Sequence, residues 1–169
     1  VLTRHEMPED LRCVAMAESG FDPTVRSNRG AVGMWQFVRR TGEEYGLSGN
    51  RWIDTRMDPE ASTDAAARYL GDLHRRFGSW ELALAAYNMG YGALLRSIRK
   101  YNTNDYWVLA ELEAGLPFET TIYVAKIMAI DTVGPILIGL LGAIVVGVGI
   151  YQITKAWKVK FAEKLKTGE

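Results

Sequence analysis

A chain of 169 residues with 48% apolar side chains can build one core of ordinary size, or one domain with an appendage, and is too apolar to remain globally disordered. Its 20 basic and 20 acidic side chains cancel, and no basic stripe of the kind that follows a phosphate backbone is present, so a nucleic-acid partner is not expected. A single cysteine, Cys13, excludes an intrachain disulfide and a cysteine-based metal cluster, and His5 and His74 stand in no metal-ligand spacing. Neither a metal nor a cofactor is expected.

The zero net charge hides a split. Residues 1–131 carry 15 Lys and Arg against 18 Asp and Glu, a net of −3, whereas residues 132–169 carry 5 Lys against 2 Glu, a net of +3. The basic residues also change type, from 13 Arg with only Lys100 and Lys126 to Lys alone. Two segments in different surroundings are expected, 1–130 and 131–169. The opening Val-Leu-Thr-Arg-His-Glu lacks the basic start and apolar run of a signal peptide, as a mature or trimmed fragment would.

Helix signals dominate the first segment. Pro8, Glu9 and Asp10 suit a first turn, because proline gives up a donor unpaired there anyway and acids favour that end. The helix then runs through Leu11 to Glu18 and stops at Ser19-Gly20. Asp22-Pro23 and Ser27-Asn28-Arg29-Gly30 are turn chemistry. Thr41-Gly42-Glu43-Glu44 reads as a capping box. Asp58-Pro59 caps a long helix that Gly78 ends at Phe77, and Ser79 caps a helix from Trp80 to Tyr87. Further helices are expected over 92–100, 105–113 and 118–130. No alternating run is long enough for a sheet, so the expected fold class is all-α. Trp35, Trp52, Trp80, Trp107 and Tyr45 are read first as packing aromatics, with Trp80 and Trp107 in the core. Tyr91, close after Asn88, is the better cleft candidate.

The second segment is of another kind. Residues 132–154 hold 23 positions without a charge; at helical rise they span roughly 33 Å, against about 30 Å of bilayer hydrocarbon. Tyr151 and Trp157 sit where interfacial aromatics belong, and Lys155, Lys158 and Lys160 place the C-terminal end on the cytoplasmic side. A transmembrane helix is expected. Gly139, Ala143 and Gly147 stand four apart, a spacing that lets a second helix approach. Trp157, Phe161 and Leu165, with lysines between, form a basic amphipathic end.

Periodicity singles out Glu18. With Leu11, Val14 and Ala15 it lies at i, i+3, i+4 and i+7 on one helix face. A carboxyl at the end of an apolar stripe loses hydration when ionised, so burial raises its pKa and lets it hold a proton near neutral pH. A glycosidic oxygen leaves poorly until protonated, and such a carboxyl is what a glycosidase acid requires. Asp22, beside Pro23, reads as a turn residue rather than a second catalytic carboxylate.

Four blocks in order give this stripe a context: Glu18-Ser19-Gly20-Phe21-Asp22-Pro23, Gly33-Met34-Trp35-Gln36-Phe37, Ala85-Ala86-Tyr87-Asn88 and Glu119-Thr120-Thr121-Ile122-Tyr123-Val124. Over about Met7 to Ile130 the chain resembles the lytic transglycosylases of bacterial cell-wall turnover, in particular the membrane-bound murein transglycosylase D group; the tail does not follow that pattern. The resemblance implies a lysozyme-like helical domain acting on peptidoglycan glycan strands at the link between N-acetylmuramic acid and N-acetylglucosamine. It implies Glu18 as catalytic acid, then base. Ser19 would bond near the reacting sugar, Met34 would form cleft floor, Gln36, Tyr87 and Asn88 would position substrate, and Tyr123 would bond to the carboxyl or the sugar. It also implies a 1,6-anhydro product, since the muramic acid 6-hydroxyl replaces water. A goose-type muramidase and a non-catalytic wall-binding module are the competing readings. The expected location is the cell envelope, with the first segment outside the cytoplasm and the tail's end within it.

Overall fold

The described residues of the computed structural model are 2–5 and 7–129, with Val146, Ile150 and Thr154 as single helical positions. The chain divides into two compact units, Val1–Met128 and Ala129–Glu169. In the first, short 3-10 turns at Leu2–His5 and Glu9–Leu11 precede α1 (Arg12–Ser19). There follow α2 (Arg39–Glu44), a 3-10 turn at Thr55–Met57, α3 (Pro59–Phe77), α4 (Trp80–Met89), α5 (Tyr91–Tyr101), α6 (Tyr106–Glu111) and α7 (118–129). Among the described residues β pairing is limited to isolated bridges such as Arg26 with Val32 and Val32 with Phe37. The all-helical expectation holds for this unit.

Local chemistry sets most of these boundaries. The α1 stop is Gly20, whose φ of 64° is left-handed and whose N–H returns to the last turn. Asp58 accepts the Ala61 N–H at the head of α3, and Ser79 accepts the Leu82 N–H at the head of α4. α4 is the buried axis of the unit: Leu82, Ala83, Leu84, Ala85 and Ala86 are all at most 3% exposed. A helix apolar on every side must lie inside, and its alanines let Ala65, Ala66, Ala67 and Leu70 of α3 come close. Each fully buried leucine here contributes about 2 kcal/mol. On α7, Thr120, Val124 and Ile127 are buried at i, i+4 and i+7, so Tyr123 shares the inward face.

Three expectations fail, the first being Trp52, read as a packing aromatic but 86% exposed. Thr41 caps nothing: α2 begins at Arg39 after extended Val38, and its first turn closes on the backbone through Gly42 N–H to the Val38 carbonyl, 2.9 Å. Trp107 is not core but 60% exposed. Asp105 accepts the amides of both Trp107 and Val108, which fixes the helix phase so that Tyr106 and Leu109 point inward and Trp107 outward. Trp80 is half-buried, stacked on His74 at 4.1 Å. Among the described residues no helix is long and apolar enough to cross a membrane. The expected span over 132–154, with Gly139, Ala143 and Gly147, lies outside the described residues apart from the three helical positions named above.

Candidate active site

The irregular segment between α1 and α2 has few helical hydrogen bonds of its own and is held by one buried arginine. Arg56 donates from Nε and Nη2 to the two oxygens of Asp54 at 2.9 and 2.7 Å, and from Nη1 to the carbonyls of Gly30 and Phe37 at 3.1 and 3.0 Å. The stretch from Gly30 to Phe37 is thereby tied to one planar cation, itself fixed by Asp54 in the bidentate geometry in which guanidinium is strongest. Gly33 crosses the same turn at φ 85°, and a Cβ there would sit 1.9 Å from the Arg56 carbonyl oxygen. No other residue fits. This close crossing delivers Trp35 and Gln36 to α4.

Tyr87, near the end of α4, donates to the Trp35 carbonyl at 2.7 Å. Gln36, also left-handed with φ 50°, donates its side-chain N–H groups to the carbonyls of Gly33 (2.8 Å) and Val25 (3.2 Å). Both partners are acceptors, so the amide orientation is forced, and Gln36 Oε1 is left to accept from elsewhere. Asn88 is set in the opposite sense. The buried Thr120 hydroxyl donates to Asn88 Oδ1 at 2.8 Å, which leaves the Asn88 NH₂ to donate.

Glu18 closes the last turn of α1, continuing the face of Leu11, Val14 and Ala15, which are 5%, 0% and 1% exposed. Tyr123 reaches it from α7 and donates to Oε1 at 2.7 Å. Burial raises the Glu18 pKa above the usual carboxylate range, and the Tyr123 bond offsets this only in part. Burial, and secondarily the charge of Glu18, pushes the hydroxyls of Tyr87 and Tyr123 well above the usual tyrosine value, so both remain donors. A cavity of about 340 Å³ brings Glu18 together with Gln36, Tyr87 and Asn88. Among the described residues Glu18 is the sole carboxyl on its wall.

The other expected residues stand at differing distances from this cavity. Ser19 and Met34 are joined to each other, Ser19 Oγ donating to the Met34 carbonyl at 2.8 Å and so pinning α1 to the loop. Neither lines the Glu18 cavity. Tyr91 lies in an adjoining one, packed on Phe77. Asp22 is fully exposed and accepts both the N–H and the hydroxyl of Thr24, as a turn residue does. Sequence reasoning missed Ser27, Arg29, Thr41 and Tyr69 on the cavity wall, and it missed the Arg56–Asp54 support. Tyr69 alone left a signal, since it precedes Leu70 on a helix whose apolar stripe it borders. Among the described residues no three His, Cys, Asp or Glu side chains converge as a metal site requires.

Comparison with known proteins identifies a family. The profile of the transglycosylase SLT domain matches residues 2–110. The membrane-bound lytic murein transglycosylase D of Escherichia coli strain K12 is 37% identical over 135 residues, covering 77% of this chain and 29% of that protein. Among solved structures, the 70 kDa soluble lytic transglycosylase of Escherichia coli superposes with a TM-score of 0.58 at 27% identity, covering 77% of this chain and 22% of that one. The 70 kDa soluble lytic transglycosylase in complex with bulgecin A gives 0.61 at 26% identity, covering 82% and 24%. The chain thus spans less than a third of the length of these relatives. A single sheltered carboxyl at a helix end, and a profile match over more than half the sequence, lead to one assignment: this chain belongs to the transglycosylase SLT domain family.

Proposed function

We propose that residues 1–130 cleave the bond between N-acetylmuramic acid and N-acetylglucosamine in peptidoglycan without water, leaving 1,6-anhydromuramic acid ends. The observation that carries this reading is Glu18, the sole carboxyl among the described residues on its cavity wall, with its pKa raised by burial and its Oε1 held by the Tyr123 hydroxyl at 2.7 Å. The Glu18 O–H protonates the glycosidic oxygen as the bond to the anomeric carbon breaks. The carbonyl oxygen of the sugar's own N-acetyl group supports the positive centre, which removes the need for a second carboxylate. The carboxylate of Glu18 then takes the proton of the muramic acid 6-hydroxyl as O6 bonds to the anomeric carbon, and the acid form is restored. Tyr123 donates to the carboxylate while it is charged. Gln36 supplies an acceptor and Asn88 donors, a pair complementary to the N–H and C=O of an acetamido group. Holding the 6-hydroxyl against the reacting carbon replaces an encounter with solvent. Ser19 and Met34 support this arrangement through their mutual hydrogen bond.

Digestion of purified wall sacculi followed by mass analysis of the muropeptides tests the reading. Anhydro ends are expected, and Glu18→Gln should reduce their release by roughly a thousandfold. Reducing ends would assign the cavity to a hydrolytic muramidase, and binding without cleavage to a wall-binding module. We also infer from sequence that residues 132–154 tether the domain on the wall side of a membrane. Fractionation of the full chain against a version ending at Ile130 checks that placement.

A further inference from the structure

A second cavity, of about 600 Å³, adjoins the first and shares Thr41, Tyr69 and Gly90 with it. Its charged groups are unevenly satisfied. Glu44 accepts from Arg40 at 3.2 Å, and Asp72 accepts the Tyr45 hydroxyl at 2.9 Å and is paired with Arg75. Arg76 has no carboxylate partner among the described residues. Its guanidinium lies 5.7 Å from the centre of the Tyr91 ring, and that ring is packed on Phe77 at 5.6 Å. A cation held over an aromatic face, in a cavity whose acids are already engaged, is preorganised for an incoming carboxylate.

We propose that this cavity receives the peptide branch of the glycan substrate, with Arg76 binding one of its free carboxylates over the Tyr91 platform. The proposal rests on the peptidoglycan reading of the Glu18 site. A glycan strand lying in the first cavity carries its peptide branches on muramic acid, and the lining residues common to both cavities, Thr41, Tyr69 and Gly90, put the second within reach of such a branch. A neutral sugar would use the tyrosine rings but leave the Arg76 charge without a counterpart.

The test compares glycan strands bearing their peptides with the same strands stripped by an amidase. For the intact chain, kcat/KM on the two substrates gives a selectivity ratio. Arg76→Gln should lower that ratio about tenfold by removing one charge-assisted contact, and Tyr91→Leu should lower it in the same direction. A ratio unchanged by either substitution overturns the proposal. So does an equal loss on both substrates, which would mark a sugar subsite. Because the result could be obscured by absent turnover, binding of both strand types to the Glu18→Gln chain is measured calorimetrically as well. Tighter binding of peptide-bearing strands, abolished by Arg76→Gln, supports the cavity's role even if no cleavage product forms. Equal binding of both strands sinks it even if cleavage is confirmed.

Discussion

Glu18→Gln is nearly isosteric and retains an oxygen that can accept from Tyr123, so the folded shape should survive and only the titration should disappear. The sign follows from burial. Because the folded-state pKa of Glu18 lies above its ordinary value of 4.5, the folded protein holds this proton where the unfolded chain has lost it. Stability from that proton is fully present below the unfolded value and is lost as pH rises through the folded one. Within the window the slope for one proton is about 1.4 kcal/mol per pH unit, and above it the penalty is constant. The glutamine variant has no such slope. Subtracting the two stability curves cancels every other titrating group and should leave a difference that is flat at low pH, then grows in favour of the variant, then levels off. For a unit of this size each kcal/mol corresponds to about 4 °C in Tm. Urea unfolding from pH 4 to pH 8, followed by tryptophan fluorescence to which buried Trp35 contributes, measures both curves. Parallel curves would show that Glu18 is not desolvated, and a difference that moves against the variant as pH rises would show that the Glu18 carboxylate is favoured; either refutes the reasoning.

Tyr123→Phe removes a hydrogen bond that favours the charged form, so the alkaline limb of kcat should move to higher pH while turnover falls roughly tenfold to a hundredfold; an unmoved limb in a pH–rate profile would contradict this. Arg56→Met leaves Asp54, whose side chain is only 12% exposed, without its partner, and should cost about 3 kcal/mol in urea unfolding at pH 7. Arg56 holds the Asp54 carboxyl below its usual range, so that stability is present above the ordinary aspartate value and lost as pH falls through the depressed one. The variant should therefore show a shallower acid decline. Gly33 and Gly78 form a controlled pair. Both are left-handed, at φ 85° and 77°, but an added Cβ meets the Arg56 carbonyl at 1.9 Å in one case and nothing within 4 Å in the other. Gly78→Ala should cost about 1 kcal/mol for its backbone conformation alone. Gly33→Ala should cost about 2–4 kcal/mol more, with loss of activity as Gln36 shifts; equal Tm losses would show that the crossing is not tight.

Short-range chemistry made much of the fold legible in advance. Asp58-Pro59, Ser79 and Gly78 mark helix ends through bonds their own side chains or backbone make within a few residues, and those ends stand where expected. Thr41 and Trp107 escaped because a capping pattern and an aromatic type are ambiguous until the helix phase is known, and Val38 and Asp105 set that phase. The same contrast divides the active site. Glu18 stands out by its position on an apolar stripe, but its role as acid, like the remaining residues, is read from motifs that resemble a known family.

What the sequence determined by itself is therefore the helical period, most caps, and the place of Glu18 on an apolar helix face, since each depends on neighbours within about two turns. What only tertiary structure decided is which groups still have bonding capacity to spare. The Ser19 hydroxyl proton is committed to the Met34 carbonyl, Gln36 is turned by Val25 and Gly33, and Asn88 is oriented by Thr120 from 32 residues away. A side chain's type states what it can donate or accept, but which of those bonds is already made depends on partners that only folding brings within 3 Å.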